Sequence, residues 1–282
     1  MENNKTSEEI IDVIISHIKK NIIIDNNIEI MSCAMMGSVM WEIEGAPSDY
    51  DIMFIFKYTD PSIYIDITPY TTHIDKSNLK IDGVDRKVDI RGYDIRAFMK
   101  LLVKGSPQAF EFCNAPLYKP EKYNESINIK KLFKKIPIKL FLCSYYEMIN
   151  SNIKTLKKKQ GDVKLLTNIM REIYIISHIE KNIYNVSLTS QKMIEWYGKS
   201  DKVNELLIEK LCDEKKNGVL VTEFSDNIEK IKKKEILRIT KTIHTTGKIN
   251  YALDALKKIR EYHSKDFDHV SKFLLRVIMN NE

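Results

Sequence analysis

Cysteine pairs of the kind that build disulfide frameworks or zinc sites are missing from this sequence. Its four cysteines are scattered along 282 residues, with no CxxC pair and no close cysteine–histidine spacing. We therefore expect neither a disulfide framework nor a zinc site, and we interpret the cysteines as small buried hydrophobic residues.

Long apolar runs are also missing. No stretch approaches the length of about 20 apolar residues that a membrane-spanning helix needs. The first ten residues, MENNKTSEEI, are polar and acidic, whereas a secretory signal peptide is basic and then apolar. The sequence therefore predicts a cytoplasmic protein with no membrane partner.

Neither sign of charge dominates strongly. The formal net charge is +6, charged residues make up 30% of the chain and hydrophobic residues make up 43%. This composition is typical of a folded globular protein and excludes a disordered chain or a dedicated DNA-coating protein. The mild positive excess favours a phosphate-bearing partner.

Hydrophobic periodicity in the first 120 residues alternates between helical and strand patterns. A capping box at Thr6-x-x-Glu9 begins the first helical pattern. We predict a helix to about Lys20, strands over residues 28–36 and 52–56, and a hairpin that turns at Asp82-Gly83. Asp94 then begins a predicted helix over residues 95–104.

Beyond residue 120 the periodicity is almost entirely helical, and the composition around residues 116–128 shifts to Pro, Lys, Tyr and Asn. The predicted helices span residues 138–153, 163–179, 190–197, 203–211, 228–239, 251–262 and 267–279. The expected fold class is α+β: a mixed β-sheet flanked by helices over residues 1–120, followed by an all-helical C-terminal domain over residues 121–282.

Two aspartates, Asp49 and Asp51, lie at the start of the second long strand. Alternate residues of a strand share a face, with backbones roughly 6.6 Å apart, so both carboxylates project together. Hard oxygen ligands of this kind suit Mg²⁺, which usually retains waters and substrate phosphates among its ligands. A solvated or capping pair is the common alternative for an isolated Asp-x-Asp motif.

A third acid, Asp89, lies between Val88 and Ile90 in the second strand of the predicted hairpin. The flanking apolar residues point to one face of the strand and the acid to the other. On a strand next to the Asp-x-Asp motif, this acid would let two metal ions share one site. Clustered carboxylates repel one another, so such a trio is costly unless a cation is bound.

The segment Gly37-Ser38 follows a buried strand and shortly precedes the two acids. A glycine permits close approach of the backbone to a phosphate, and the hydroxyl of Ser38 can donate to a phosphate oxygen. The order of parts is more specific than any one of them: strand, Gly-Ser turn, loop, Asp-x-Asp, apolar strand, isolated strand aspartate.

With this order the chain resembles the polymerase β-like nucleotidyltransferases, and it is most similar to their RNA-repair-pathway branch. The resembling segments are Gly37-Ser38, SDYD at 48–51, DIRGYDIR at 89–96 and LLVKGSP at 101–107. The likeness covers roughly residues 30 to 120 and continues to about residue 182. It implies a nucleotidyltransferase-type sheet and transfer of a nucleoside monophosphate from an NTP to a hydroxyl, with pyrophosphate released.

The resemblance also implies roles for individual residues. Asp49 and Asp51 would bind both metal and triphosphate, and Asp89 would bind the metal that activates the acceptor and could serve as its general base. Gly37 and Ser38 would hold the distal phosphates. Two Mg²⁺ (or Mn²⁺) ions are the implied cofactors, and the NTP is the co-substrate.

Two positions depart from the family's pattern. Val39 stands where the pattern has arginine, and Glu42 stands where it has glycine. The first departure removes a phosphate-facing cation next to the Gly-Ser turn. The three acids are retained.

Other residues have two open interpretations. Lys164 and Arg171 are seven residues apart on one helical face, and they either reach over the triphosphate or form an exposed basic stripe. Trp41 and Tyr50 either stack on a base or belong to the core and its rim.

The acceptor that we expect is an RNA (tRNA-like) end, and lysines at 157–159 and 232–234 would follow its backbone unless they are solvated faces. Nucleotidylation of a protein side chain is the main alternative, and a non-catalytic nucleotide sensor is a further one. Arg171 and His178 also match the spacing of the catalytic pair in helical ribonuclease toxins, although Glu172 replaces the polar residue expected just after the arginine.

Overall fold

The computed structural model describes residues 7–23, 27–43, 49–64, 72–81, 83–118, 129–158 and 162–199. Within the described residues, the boundary between two compact units falls between Pro137 and Ile138. The predicted domain boundary near residue 120 falls in segment 119–128, outside the described residues. The helices predicted over residues 203–279 also lie outside them.

The first unit contains four strands and five helices within the described ranges. In chain order these elements are α1 (Ser7–Ile18), β1 (Ile28–Met36), α2 (Gly37–Met40), β2 (Tyr50–Tyr58), β3 (Thr72–Ile81), β4 (Val84–Asp94), α3 (Ile95–Val103), α4 (Pro107–Asn114) and α5 (Ile129–Phe133). A π-helical turn (Lys19–Ile23) follows α1, and a 3₁₀ turn (Pro61–Tyr64) follows β2.

The four strands form one mixed sheet in the order β1-β2-β4-β3. β1 and β2 are antiparallel, β2 and β4 are parallel, and β3 and β4 form an antiparallel hairpin that closes at Ile81 and Val84. Gly83 in the turn has a φ of +75°, which favours glycine. The predicted mixed sheet with flanking helices and the predicted hairpin are confirmed.

Helix α1 packs on one face of this sheet. Its isoleucines recur at helical spacing, so they form one buried apolar stripe: Ile10, Ile11, Ile14, Ile15 and Ile18. The same hydrophobic cluster contains alternate residues of the central strands, including Phe54, Val88 and Ile90. Because strand side chains alternate between faces, the residues between these point away from α1.

Helices α3 and α4 contact the sheet as well. Asp94 begins α3, as predicted: its buried carboxylate accepts a hydrogen bond of 2.7 Å from the backbone N–H of Arg96. The guanidinium of Arg96 also pairs with Asp94 and lies 4.6 Å from the ring centroid of Tyr64. Pro107 occupies the first turn of α4, where its missing N–H costs nothing.

The described part of the second unit is helical. It contains α6 (Leu140–Lys158), α7 (Val163–Glu180) and α8 (Ser190–Gly198). The side chains of Asp162 and Thr189 cap the last two helices. The helices predicted from residues 138, 163 and 190 are confirmed, and α6 continues five residues beyond its predicted end. Among the described helices, none has the length and apolar character that crossing a membrane requires.

Candidate active site

The sheet brings Asp51 and Asp89 side by side. β2 and β4 run parallel in a register that makes these two residues direct partners. Paired residues on neighbouring strands point to the same face, and adjacent strands lie about 4.8 Å apart. Asp51 and Asp89 are therefore neighbours on the sheet face opposite α1.

Gly37 lies next to Asp51, because Met36 at the end of β1 pairs with Asp51 in the antiparallel register. Its φ of +64° is in the left-handed region that favours glycine. A methyl group on its Cα would overlap Oδ2 of Asp51. Both the backbone conformation and the available space therefore require glycine at this position.

Two lysines form ion pairs with the predicted site acids Asp49 and Asp89. Lys87 Nζ donates to Asp49 Oδ2 at 3.0 Å, and Lys76 Nζ donates to Asp89 Oδ2 at 3.1 Å. The hydrogen bond and charge of Asp49 raise the pKa of Lys87, and the charges of Asp89 and Asp51 add to this shift. The ammonium of Lys87 is thus close enough to experience all three carboxylates.

The acids differ in exposure and in hydrogen bonding. The side chain of Asp49 is 44% exposed, whereas that of Asp89 is 17% exposed. Oδ1 of Asp89 is buried and accepts no hydrogen bond from any residue that the structure describes. A buried carboxylate oxygen without a partner is costly, so this atom is suited to a bound cation or an incoming donor.

The three acids are neighbours but do not form a closed ligand set. Within the described ranges, no three His, Cys, Asp or Glu side chains converge closely enough to hold a metal ion. Asp49 lies just before β2 and its carboxylate contacts Lys87 instead. The predicted role of Asp49 as a metal ligand stays a prediction.

A cavity of about 230 Å³ opens beside Gly37 and the paired aspartates. Its polar lining consists of Asp51, Asp89, Arg91, Tyr93, Gln108 and Glu111. The hydroxyl of Tyr93 donates to Oε1 of Gln108 at 3.2 Å, which joins β4 to α4 at the edge of the cavity. Neither Asp49 nor Ser38 belongs to this lining.

Sequence reasoning missed four of these lining residues. Arg91 and Tyr93 follow Asp89 at alternate positions of the same strand, so strand periodicity could have identified them. Gln108 and Glu111 lie three residues apart on α4 and share a helix face. No local sequence signal indicates which residues that face meets, so only the packing of α4 reveals them.

The two departures from the family pattern lie at α2. Glu42 has a φ of +55°, its N–H donates to the carbonyl of Val39, and the N–H of Ile43 donates to the carbonyl of Ser38, each at 3.0 Å. These bonds form a Schellman motif, whose left-handed position favours glycine. The position at which the family pattern has glycine is therefore the left-handed residue that ends α2. The departure at Glu42 changes the backbone preference at this position.

Val39 and the two aromatic candidates belong to the hydrophobic interior or its edge. Val39 and Tyr50 are half-buried and pack against the α1 cluster. Trp41 is 1% exposed, so it is part of the core, and of its two interpretations base stacking was wrong.

Lys164 and Arg171 both lie on α7 of the second unit, as predicted. Lys164 is exposed in the first turn, while Arg171 is half-buried and donates to Oδ1 of Asn168. His178 lies seven residues after Arg171 on the same helix, and its Nδ1 is 2.8 Å from the carbonyl oxygen of Tyr174. Contact of Lys164 and Arg171 with a triphosphate stays a prediction.

Comparison with known proteins gives one decisive match. No curated protein matches the sequence. A solved structure of a nucleotidyltransferase-like protein from Exiguobacterium sibiricum 255-15 is 11% identical over 95% of this chain and 81% of that one, with a TM-score of 0.26. A family model described as the RNA repair pathway DNA polymerase beta family matches residues 12–270. That match extends well beyond the motif-bearing segments, and the chain belongs to the RNA repair pathway DNA polymerase beta family.

Proposed function

We propose that this protein transfers a nucleoside monophosphate from an NTP to a hydroxyl group at an RNA end and releases pyrophosphate. The observation that supports this most directly is the register of β2 and β4, which pairs Asp51 with Asp89 beside Gly37 and a cavity. Family membership supports nucleotidyl transfer in general. The RNA acceptor is our own extension of it.

The residues present fit a divalent metal. Asp51 and Asp89 would hold it, and Asp49 would join them by turning away from Lys87. The buried, unpartnered Oδ1 of Asp89 supports this assignment, because hard oxygen ligands suit Mg²⁺ and Mn²⁺. Two such ions, when bound, would neutralise charge on the transferred phosphate and activate the attacking hydroxyl.

The chain's own groups have separate tasks in this proposal. Gly37 lets a phosphate approach the backbone, and Ser38 contributes a hydroxyl donor. Asp89 receives the proton of the acceptor hydroxyl. Lys76 and Lys87 balance the charge of the acids, which lowers the cost of grouping carboxylates on one sheet face.

We propose further that the helical second unit, which begins at Ile138, binds the acceptor in the cytoplasm. Lys164 and Arg171 would contact the triphosphate, and the lysines at 157–159 would contact the RNA backbone. Binding through such phosphate contacts weakens steeply as salt rises.

The test is incubation of the full chain with each radiolabelled NTP, Mg²⁺ or Mn²⁺, and a mixture of RNA, tRNA and cell protein. We expect labelled product that nuclease destroys and protease leaves intact. Label that survives nuclease and disappears with protease would replace the RNA acceptor by a protein. No labelled product with any NTP would overturn nucleotidyl transfer.

Two variants control this experiment. Asp89→Asn removes the charge of a proposed ligand and is expected to reduce labelling by about a thousandfold. Asp85→Asn makes the same change on the same strand at an exposed residue outside the cavity lining, so it should label like the unaltered protein. Equal labelling by both variants would contradict the assignment of the site.

A further inference from the structure

The cavity beside Asp51 and Asp89 has a single cationic side chain among its described lining residues, Arg91. Arg91 lies two residues after Asp89 on β4, so the two side chains share a face. Arg91 is exposed to solvent, so a ligand in the cavity can reach it.

Arg91 differs from the other cations near the acids. Lys76 and Lys87 are already paired with Asp89 and Asp49. The guanidinium of Arg91 makes no hydrogen bond or ion pair with any residue in the described part of the chain. Its five N–H donors are therefore available, and their planar arrangement matches two oxygens of a phosphate.

The α2 turn beside the cavity supplies no positive charge of its own. Gly37 and Ser38 are uncharged, and Val39 packs against the hydrophobic core. A phosphate that enters this cavity also meets the carboxylates of Asp51 and Asp89, which repel it. A cation within the same cavity offsets that repulsion more strongly than a distant one, because Coulomb energy falls with distance.

We propose that Arg91 binds a phosphate group of a substrate in this cavity through bidentate hydrogen bonds. The proposal rests on the proposed function, since it assigns Arg91 to the same reaction site. The phosphate belongs either to the triphosphate of the NTP or to the phosphodiester next to the acceptor hydroxyl. Both present the same chemistry to the guanidinium.

The test compares Arg91→Gln, Arg91→Lys and the control Arg86→Gln in the full chain. Arg86 lies on the same strand, five residues earlier, on the opposite sheet face and outside the cavity lining. Calorimetric titration without turnover uses two probes: inorganic tripolyphosphate with Mg²⁺, and a single-stranded RNA oligonucleotide. Thermal melting checks that each variant is folded.

We expect Arg91→Gln to weaken binding of one probe by about ten- to a hundredfold, the usual effect of losing a charged hydrogen-bonding partner. Arg91→Lys should recover part of the loss, because it keeps the charge but not the paired donors. Arg86→Gln should bind within about twofold of the unaltered protein. A loss confined to tripolyphosphate assigns Arg91 to the NTP, and a loss confined to RNA assigns it to the acceptor.

Two results would overturn the proposal. One is that Arg91→Gln binds both probes like the unaltered protein, and the other is that the unaltered protein binds neither. The proposed function can fail separately: Arg91-dependent phosphate binding without any nucleotidyl transfer would leave this site standing and remove that function. Nucleotidyl transfer with unchanged KM values in Arg91→Gln would leave the proposed function standing and remove the assignment of Arg91 to phosphate binding.

Discussion

The two faces of the central sheet are built from the same strands but have opposite tasks. On β4, Val88 and Ile90 are buried against α1, while Asp89 and Arg91 between and beyond them face the cavity. Because the side-chain period of a strand is two, a single residue step separates a position that stabilises the fold from a position suited to chemistry. We expect substitutions at adjacent residues to separate stability from activity.

The largest expected effect is on the cavity face. Asp89→Asn keeps the size of the side chain and removes its charge, so nucleotidyl transfer should fall by about a thousandfold, the equivalent of about 4 kcal/mol of transition-state stabilisation. The free energy of unfolding should change by less than about 1 kcal/mol. Single-turnover labelling and denaturant unfolding measure the two quantities. If Asp89→Asn retains nucleotidyl transfer, the cavity face of the sheet is not the catalytic face.

The neighbouring residue tests the other face. Ile90→Ala leaves a cavity under α1 and should lower the free energy of unfolding by about 2–5 kcal/mol, because Ile90 is fully buried. The KM for NTP of the molecules that remain folded should stay close to that of the unaltered protein. Denaturant unfolding and initial rates at low temperature check both statements.

Gly37 lies where the two tasks meet, since it is close to Asp51 and has a φ of +64°. Gly37→Ala should cost about 1–2 kcal/mol of stability from the left-handed backbone. It should also lower activity, because the new methyl group displaces the carboxylate of Asp51. Measurement of melting and labelling on one preparation tests this; loss of stability alone would show that Asp51 tolerates the displacement.

Substitution of Glu42 tests whether this position affects the stability of the backbone or the binding of substrate. Glu42→Gly relieves the left-handed conformation at the end of α2 and should raise the free energy of unfolding by about 0.5–1 kcal/mol. Because Glu42 acts through the backbone, the KM for NTP should not change. A lower KM would instead assign this position to phosphate binding.

The smallest effect concerns Asp75, a carboxylate on the α1 face of β3. Burial raises the pKa of Asp75, but the hydrogen bonds that its carboxylate accepts from His17 at 2.9 Å and from Ser77 at 2.8 Å outweigh it, so the pKa is lowered overall. Its stabilisation is therefore present above the unfolded pKa of about 3.9 and is lost as pH falls through the folded pKa.

Asp75→Asn should accordingly reduce stability by about 0.2–1 kcal/mol at pH 7. The difference from the unaltered protein should shrink below about pH 4, because protonation removes the same charge there. Chemical denaturation between pH 7 and pH 3 measures it. A difference that stays constant as the pH falls from 7 to 3 would mean that shape, and not charge, is responsible.

Much of the first unit was predictable from local pattern. The isoleucine stripe of α1, the turn at Gly83 and the cap at Asp94 each depend on neighbours within a few positions, so the sequence contains the whole signal. In the second unit, the starts of the three described helices were likewise predictable from local sequence pattern. The role of Trp41 could not be predicted from local pattern, because an aromatic residue after a strand can either pack in the core or stack on a nucleotide base. Its burial in the tertiary structure assigns it to the core.

The positions of the acids separate local from non-local information most clearly. That Asp51 and Asp89 alternate with apolar neighbours is written in the sequence, because strand periodicity is local. That they are direct partners beside Gly37, with Arg91, Gln108 and Glu111 around one cavity, depends on β4 pairing parallel with β2 and on where α4 packs. Tertiary structure alone decided this, because pairing between distant strands and helix packing have no signature in a short stretch of chain.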